Sequence, residues 1–174
     1  MESKSPNKIH IIGSVGSGKT TLAKWLSTKL DIPFYELDNI VWKRHKSGDI
    51  RRNDEERDEY LSTLVDSDSW IIEGVHYEWV LQSFQKADLI IVLDTAYSKR
   101  TVRIIKRFIL QKVGLEQANY KPTFEILRRM FTWNANYEKD SKPEIVAILS
   151  QYNDKLIILK NDSEIEEYFS WLNA

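Results

Sequence analysis

The stretch Ile9-His10-Ile11-Ile12-Gly13-Ser14-Val15-Gly16-Ser17-Gly18-Lys19-Thr20-Thr21 decides how this chain is read. Its first four residues form a short apolar strand. Gly13 to Thr20 then satisfy G-x-x-x-x-G-K-[ST] at every fixed position, and Leu22, Trp25, Leu26 and Leu30 follow at helical spacing. At ordinary residue usage a match of this kind arises by chance in roughly 4 of 10⁵ windows, so the pattern is not accidental. Glycines in such a turn let successive N–H groups point inward as an anion nest, and the following helix adds the positive end of its dipole. Lys19 is placed to reach the β- and γ-phosphates of a nucleoside triphosphate, and the Thr20 hydroxyl to ligate Mg²⁺. Ser14, Val15, Ser17 and Thr21 complete the candidate nucleotide-binding set.

Short apolar runs alternate with amphipathic stretches on the C-terminal side of this loop. Residues 33–37, 70–73, 89–93 and 156–159 read as four more strands, and the charged segment 42–53 as an exposed loop. Helices are expected from a cap at Asn53 or Asp54 through Val65, over 97–111, over 123–137, after Pro143, and from a cap at Asp162 or Ser163 to near Leu172. Five β runs, each followed by helix, imply an α/β fold: one domain over 1–174, with a mostly parallel five-stranded sheet covered on both faces. The stretch 108–125, which contains Gly114, reads as an insertion able to act as a mobile lid.

Composition narrows the function classes. The chain has 174 residues, 25 basic and 26 acidic, for a formal charge of −1, and it has no cysteine. A cysteine nucleophile, a disulfide framework and a thiolate metal site are excluded. The near-neutral total does not match nucleic acid or an anionic membrane, so neither partner is expected. The longest apolar runs, such as 89–93, fall far short of the ~18 residues of a span, and Met1 to Lys8 is polar. A cytoplasmic location is the simplest expectation.

Charge is unevenly distributed. Nine basic residues lie between Lys99 and Arg129, against Glu116 and Glu125 alone. On a helix, Arg100, Arg103 and Arg107 share one stripe, and Val102, Ile105 and Ile109 lie opposite, where they are expected to pack on the sheet. With a polyphosphate at the same sheet edge, the guanidinium groups have a ligand to meet. Asp38 and Glu73 are expected at C-terminal strand ends, where ligands collect in open α/β sheets. Either could hold Mg²⁺ through water or accept a proton from an acceptor hydroxyl, and both positions also suit capping or turn chemistry. Trp42, His76 and Tyr77 could line an acceptor pocket or serve as core aromatics and a surface histidine. The three histidines are too scattered for a metal site.

The phosphate loop, Trp70-Ile-Ile-Glu-Gly74, and Asp94 followed by Arg103 and Arg107 resemble the nucleoside-monophosphate kinases of the adenylate kinase group. Leu37-Asp38-x-x-x-Trp42, Trp70-Ile-Ile-Glu-Gly-x-x-Tyr77 and Ala87-Asp88 resemble more closely the adenylate-kinase-like bacterial topology modulation (FlaR-like) proteins. The resemblance runs from Ile9 to about Leu172. It implies a P-loop kinase fold with sheet order 2-3-1-4-5. It also implies Arg103 against the base or phosphates, Arg107 on phosphates, and Arg128 or Arg129 closing over the transferring group, with Arg129 taken as the candidate. The Lys160-Asn161-Asp162 loop would edge the adenine. Glu73 stands where the nucleotide kinases usually carry Asp, and His76 where the closer family carries Asn.

The resulting expectation is an ATP- and Mg²⁺-dependent phosphotransferase acting on a nucleoside monophosphate or a small hydroxyl compound. Its catalytic candidates are Lys19, Arg103, Arg107, Arg129, Asp38 and Glu73. The alternative is a regulatory NTP-binding protein or NTPase that acts on DNA topology or on another partner. No nucleic-acid module is visible to favour that alternative.

Overall fold

The computed structural model describes residues 5–45, 48–116 and 121–173. Strand β1 (Lys8–Gly13) is followed by α1 (Lys19–Leu30), β2 (Phe34–Glu36), α2 (Leu37–Val41) and the short strands β3 (Trp42–Lys43) and β4 (Ile50–Arg51). Next come α3 (Asp54–Val65), β5 (Trp70–Gly74), α4 (Leu81–Lys86), β6 (Leu89–Leu93) and α5 (Tyr97–Lys112). The chain continues through α6 (Phe124–Asn136), a π turn (Tyr137–Ser141), α7 (Lys142–Leu149), β7 (Leu156–Leu159) and α8 (Asp162–Tyr168).

The main sheet has five strands in the order β2-β5-β1-β6-β7, and every pairing is parallel. Counting only those five in chain order, this is the expected 2-3-1-4-5. Side chains alternate between the two faces as the pleat requires. Ile12, Ile72, Ile90 and Val92 pack with Leu37, Leu61, Phe84, Tyr137 and Ile145 on one side. Ile9, Ile11, Ile71 and Ile91 pack with Leu22, Leu26 and Phe169 on the other. Burial on both faces explains why these strands read as continuous apolar runs. Among the described residues, no helix is long and apolar enough to cross a membrane.

Several elements differ from the sequence expectation. The segment 42–53 is not wholly loop, since β3 and β4 pair antiparallel as a small hairpin beside α2. Asp38 lies in the first turn of α2, not at a strand end, because the chain turns helical directly after Glu36. The helices on either side of Pro143 are continuous. Proline has no N–H to donate and its ring crowds the carbonyl four residues back, and the wide turn at Tyr137–Ser141 accommodates both.

The largest correction concerns α5. Val102 and Ile109 are 64% and 53% exposed and Ile105 is also exposed, whereas Arg100 is fully buried and Arg103 and Arg107 are half-buried. The arginine stripe faces inward. Ile104 and Phe108, not Val102, Ile105 and Ile109, are the apolar residues of α5 that pack inside. Acceptors from distant parts of the chain reverse the usual preference of charge for solvent, as the site geometry shows. Of the expected lid, 108–112 belongs to α5, the start of α6 lies at Phe124, and 117–120 lies outside the described residues.

Candidate phosphate-binding and acceptor site

The loop between β1 and α1 takes its shape from two left-handed residues. Gly16 has φ +75° and Gly18 has φ +102°, a region where L side chains are strained. A Cβ on Gly16 would also lie 2.9 Å from the Arg100 carbonyl and 3.2 Å from Ile104, so the loop crest rests directly on α5. A Cβ on Gly18 would meet an Arg103 guanidinium nitrogen at 3.2 Å. Two donors pin the Ser17 carbonyl: Thr95 Oγ1 at 3.0 Å and Arg103 Nη1 at 2.9 Å. Arg103 also grips both oxygens of Asp162, at 3.0 and 3.2 Å, so α5, α8 and the loop are joined through one side chain. Lys99 and Arg103 together hold Asp162 below the usual carboxylate range.

Lys19 Nζ donates to the Ser14 carbonyl at 2.8 Å and so arches over the loop. Burial lowers its proton affinity, Glu73 and Asp38 oppose that, and Arg107 and Arg100 reinforce it. Lys19 therefore lies within the field of two carboxylates and two guanidiniums. Thr20 Oγ1 donates to Glu73 Oε1 at 2.5 Å. Burial raises the proton affinity of Glu73, while Lys19 and the Thr20 hydrogen bond oppose the shift. Asp38, whose side chain is 68% exposed, lies 3.6 Å from His76 Nε2. That imidazole holds Asp38 below the usual carboxylate range, with help from Lys19 and Arg44.

The donor set suits a nucleotide with its metal. The Ser17 hydroxyl is buried in the loop with no hydrogen-bond partner among the described residues, and the left-handed Gly16 and Gly18 are the backbone signature of loops that bind anions through their N–H groups. The Thr20 hydroxyl beside the Glu73 carboxylate offers hard oxygen donors of the kind Mg²⁺ takes alongside phosphate and water. Among the described residues, no cluster of three His, Cys, Asp or Glu could hold a metal by itself. Such an ion would have to arrive with phosphate oxygens.

The structure thus brings together the loop, Lys19, Thr20, Glu73, Asp38, Arg103 and Arg107. Among the described residues, Arg107 makes a long contact with Met130 Sδ, 3.8 Å, and its charge acts on Lys19. Arg129 is not brought to the loop, because it is exposed and pairs with Glu125 one turn earlier on α6 at 2.7 Å. The Asn161 side chain caps α8, accepting from the Glu164 N–H at 3.0 Å and donating to its carboxylate at 2.7 Å. Of this residue, the backbone is left to face a ligand.

A second polar group lies behind the loop, and sequence reasoning passed over it. Ser14 Oγ donates to Asn134 at 3.4 Å, and Asn134 donates to Thr101 at 3.2 Å. Arg100 pairs with Glu138 at 3.2 Å and lies over the Tyr137 ring at 5.2 Å. Burial pushes the Tyr137 hydroxyl up to about 12. The available signal was Asn134, a polar residue between Met130 and Tyr137 on the otherwise apolar face of α6.

This strand–loop–helix geometry has a counterpart among known proteins. Residues 9–109, more than half of the chain, match the family described as AAA domain. The chain belongs to that family. As a member of the AAA domain family it resembles the shikimate kinase of Blochmanniella floridana, 27% identical over 171 aligned residues covering 88% of this chain and 89% of the relative. The fold matches a crystal structure of shikimate kinase from Bacteroides thetaiotaomicron with TM-score 0.55, at 16% identity and over 98% and 100% of the two chains. It also matches an unliganded sugar kinase from Janibacter sp. HTCC2649 with TM-score 0.52, at 18% identity and over 96% and 94%. The α/β architecture with its five-stranded parallel sheet is accordingly that of the P-loop kinases.

Proposed function

We propose that this protein is an ATP-dependent kinase that transfers the γ-phosphoryl group to a small acceptor, either a nucleoside monophosphate or a small hydroxyl compound. One observation carries the reading: the phosphate loop, Lys19 and the Thr20–Glu73 pair share one sheet edge with the Asp38 carboxylate, 3.6 Å from His76. The exposed Asp38 carboxylate, in the field of Lys19, is available to an acceptor hydroxyl beside the phosphate loop.

In this reading the loop N–H groups and Lys19 bind the β- and γ-phosphates, and Arg103 and Arg107 neutralise charge on the same anion. Mg²⁺ brought with the nucleotide supplies further charge neutralisation when bound, held by Thr20 and by Glu73 or Asp38 through water. Asp38 orients the acceptor hydroxyl and takes its proton. The acceptor oxygen forms the new P–O bond as the β,γ-bridging oxygen leaves with ADP. The Lys160–Asp162 loop edges the base through its backbone, and Arg129 reaches the transferring group only on closure of a lid over about 108–125 of a single domain, 1–174. The kinship with the topology modulation proteins of the adenylate kinase group belongs to the same proposal. The inward-facing arginines of α5 support a nucleotide ligand over duplex DNA, which needs its cations on the outer surface.

The test is a panel of nucleoside monophosphates and small hydroxyl compounds screened with Mg²⁺–ATP for acceptor-dependent ADP release. Acceptor-independent hydrolysis alone, at the same rate across the whole panel, would refute the kinase assignment.

A further inference from the structure

Behind the phosphate loop, one face of the run from α6 through the π turn into α7 carries, at every fourth position, a residue that reaches the nucleotide half of the site. Met130 Sδ meets Arg107 at 3.8 Å, and Asn134 meets Ser14 at 3.4 Å and Thr101 at 3.2 Å. Glu138 accepts from Arg100 at 3.2 Å, and Lys142 pairs with Asp94 at 2.6 Å. Asp94 directly follows Leu93, the register partner of Gly13, so it stands at the same sheet edge as Ser14. Along a straight α-helix every fourth residue drifts by about 40° around the axis, or about 120° over three steps. The wider π turn at Tyr137–Ser141 offsets part of that drift and keeps Glu138 and Lys142 on the side of the loop.

Of these four residues Asn134 is the one that bonds the loop itself, and it is fully buried. A buried amide costs free energy unless its donor and acceptor are both used. Its oxygen accepts from the Ser14 hydroxyl, and its nitrogen donates to the Thr101 hydroxyl. Thr101 also donates to the Tyr97 carbonyl at 2.9 Å, whereas among the described residues the Ser14 hydroxyl bonds Asn134 alone. Ser14 thus stands between two groups: its carbonyl accepts from Lys19 Nζ at 2.8 Å, and its side chain is held by α6. The loop crest at Gly16 rests on the Arg100 carbonyl, so α5 and α6 hold the loop at two separate points.

We propose that Asn134 is a positioning residue for nucleotide binding and transfer: by holding the Ser14 hydroxyl it fixes the Ser14 peptide, and with it the course of the loop that Lys19 arches over. The inference rests on the kinase reading and adds to it a link from the phosphate loop to the helix that follows the 108–125 stretch. To reach the β- and γ-phosphates, Lys19 exchanges the Ser14 carbonyl for phosphate oxygens. The bond from Ser14 to Asn134 takes no part in that exchange, so it keeps the loop in place as the lysine leaves. Small displacements of groups that hold a reacting substrate lower turnover steeply, which makes the hold on Ser14 measurable.

The experiment is a double-mutant cycle on the full chain: wild type, Ser14→Ala, Asn134→Leu and the double variant. Calorimetry measures Mg²⁺–ATP affinity, and thermal denaturation measures the fold. Leucine has nearly the shape of asparagine without its hydrogen-bonding groups, so Asn134→Leu should fold and bind ATP about tenfold more weakly. Ser14→Ala should weaken binding by a similar factor, and the double variant should bind no more weakly than either single one, because both changes remove the same contact. With an acceptor that the wild type phosphorylates, Asn134→Leu should lower kcat at saturating ATP and leave KM for the acceptor unchanged. Unchanged ATP affinity in a folded Asn134→Leu protein overturns the inference, and so does a double variant whose loss is the product of the two single losses. A residue that served the fold alone would lower the melting temperature and leave affinity where it was. If leucine prevents folding, Asn134→Ala removes the same contacts with less volume, and the same two outcomes decide. A wild type that binds Mg²⁺–ATP yet phosphorylates no acceptor overturns the kinase reading, while the affinity cycle still decides whether Asn134 holds the loop.

Discussion

His10 makes the stability of this protein acid-sensitive in a measurable way. It lies mid-strand in β1, between Ile72 and Ile90 on the neighbouring strands, fully buried and edge-on to Phe84 at 4.5 Å. Ser83 Oγ donates to the Val80 carbonyl at 2.7 Å, so at the 2.8 Å contact between Ser83 Oγ and His10 Nδ1 the ring must be the donor. Nε2 then faces the apolar interior without a partner. A proton there would have neither solvent nor acceptor, and burial lowers the group from 6.5 to about 3. The folded protein keeps His10 neutral, while the unfolded chain takes up a proton below pH 6.5, so acid favours unfolding. Stability from this group is complete above pH 6.5 and falls by up to about 1.4 kcal/mol per pH unit as pH drops toward 3. Between pH 8 and pH 5 the loss is about 2 kcal/mol. His10→Leu removes the titration and leaves Ser83 bonded to Val80. Urea unfolding of both proteins at pH 8 and pH 5 isolates the effect, because every other titrating group is common to the two. The wild type should lose about 2 kcal/mol more than the variant, roughly 1 M in urea midpoint. Parallel losses within about 0.5 kcal/mol would mean that His10 is hydrated or paired, and the tautomer argument would be wrong.

Lys19→Ala should leave the fold intact, since it deletes an ammonium that burial already disfavours, and should weaken ATP binding by about tenfold to a hundredfold, the scale of a charge-assisted contact. Calorimetry showing unchanged affinity in the folded variant would sink the phosphate-loop assignment. Glu73→Gln keeps an acceptor for Thr20 but removes a carboxylate whose charged form burial penalises, so melting temperature at neutral pH should hold or rise while turnover falls by about 10²-fold. Loss of stability with full activity would make Glu73 a structural residue. Arg103→Ala severs the loop from α8. Its half-exposed pair with Asp162 is worth at most about 1 kcal/mol, so thermal denaturation should shift by only about 2–4 °C, whereas ATP affinity should drop about tenfold or more. An Arg103→Ala protein that melts early yet binds ATP normally would show that the side chain serves packing alone.

The amino-acid sequence by itself determined the phosphate loop, the five parallel strands and the helices around them. Those features are carried by local rules: glycine spacing that permits positive φ, apolar runs that suit a doubly covered sheet, and caps such as Asn53 and Thr123 that satisfy helix N–H groups. Loop, strand and helix neighbours are close in sequence, so pattern alone identifies them. Tertiary structure alone decided which way α5 faces. By periodicity its apolar stripe belonged inside, yet the arginines turned inward because Ser17, Glu138 and Asp162 supply acceptors there. Those acceptors lie far from one another in the chain, Ser17 near its start and Glu138 and Asp162 in its last quarter. The same is true of Asn134 behind Ser14 and of Glu36 beside Glu73. Hydrophobic periodicity reports only whether a residue can tolerate burial. Whether a charge finds partners once buried depends on groups that only folding brings within about 3 Å.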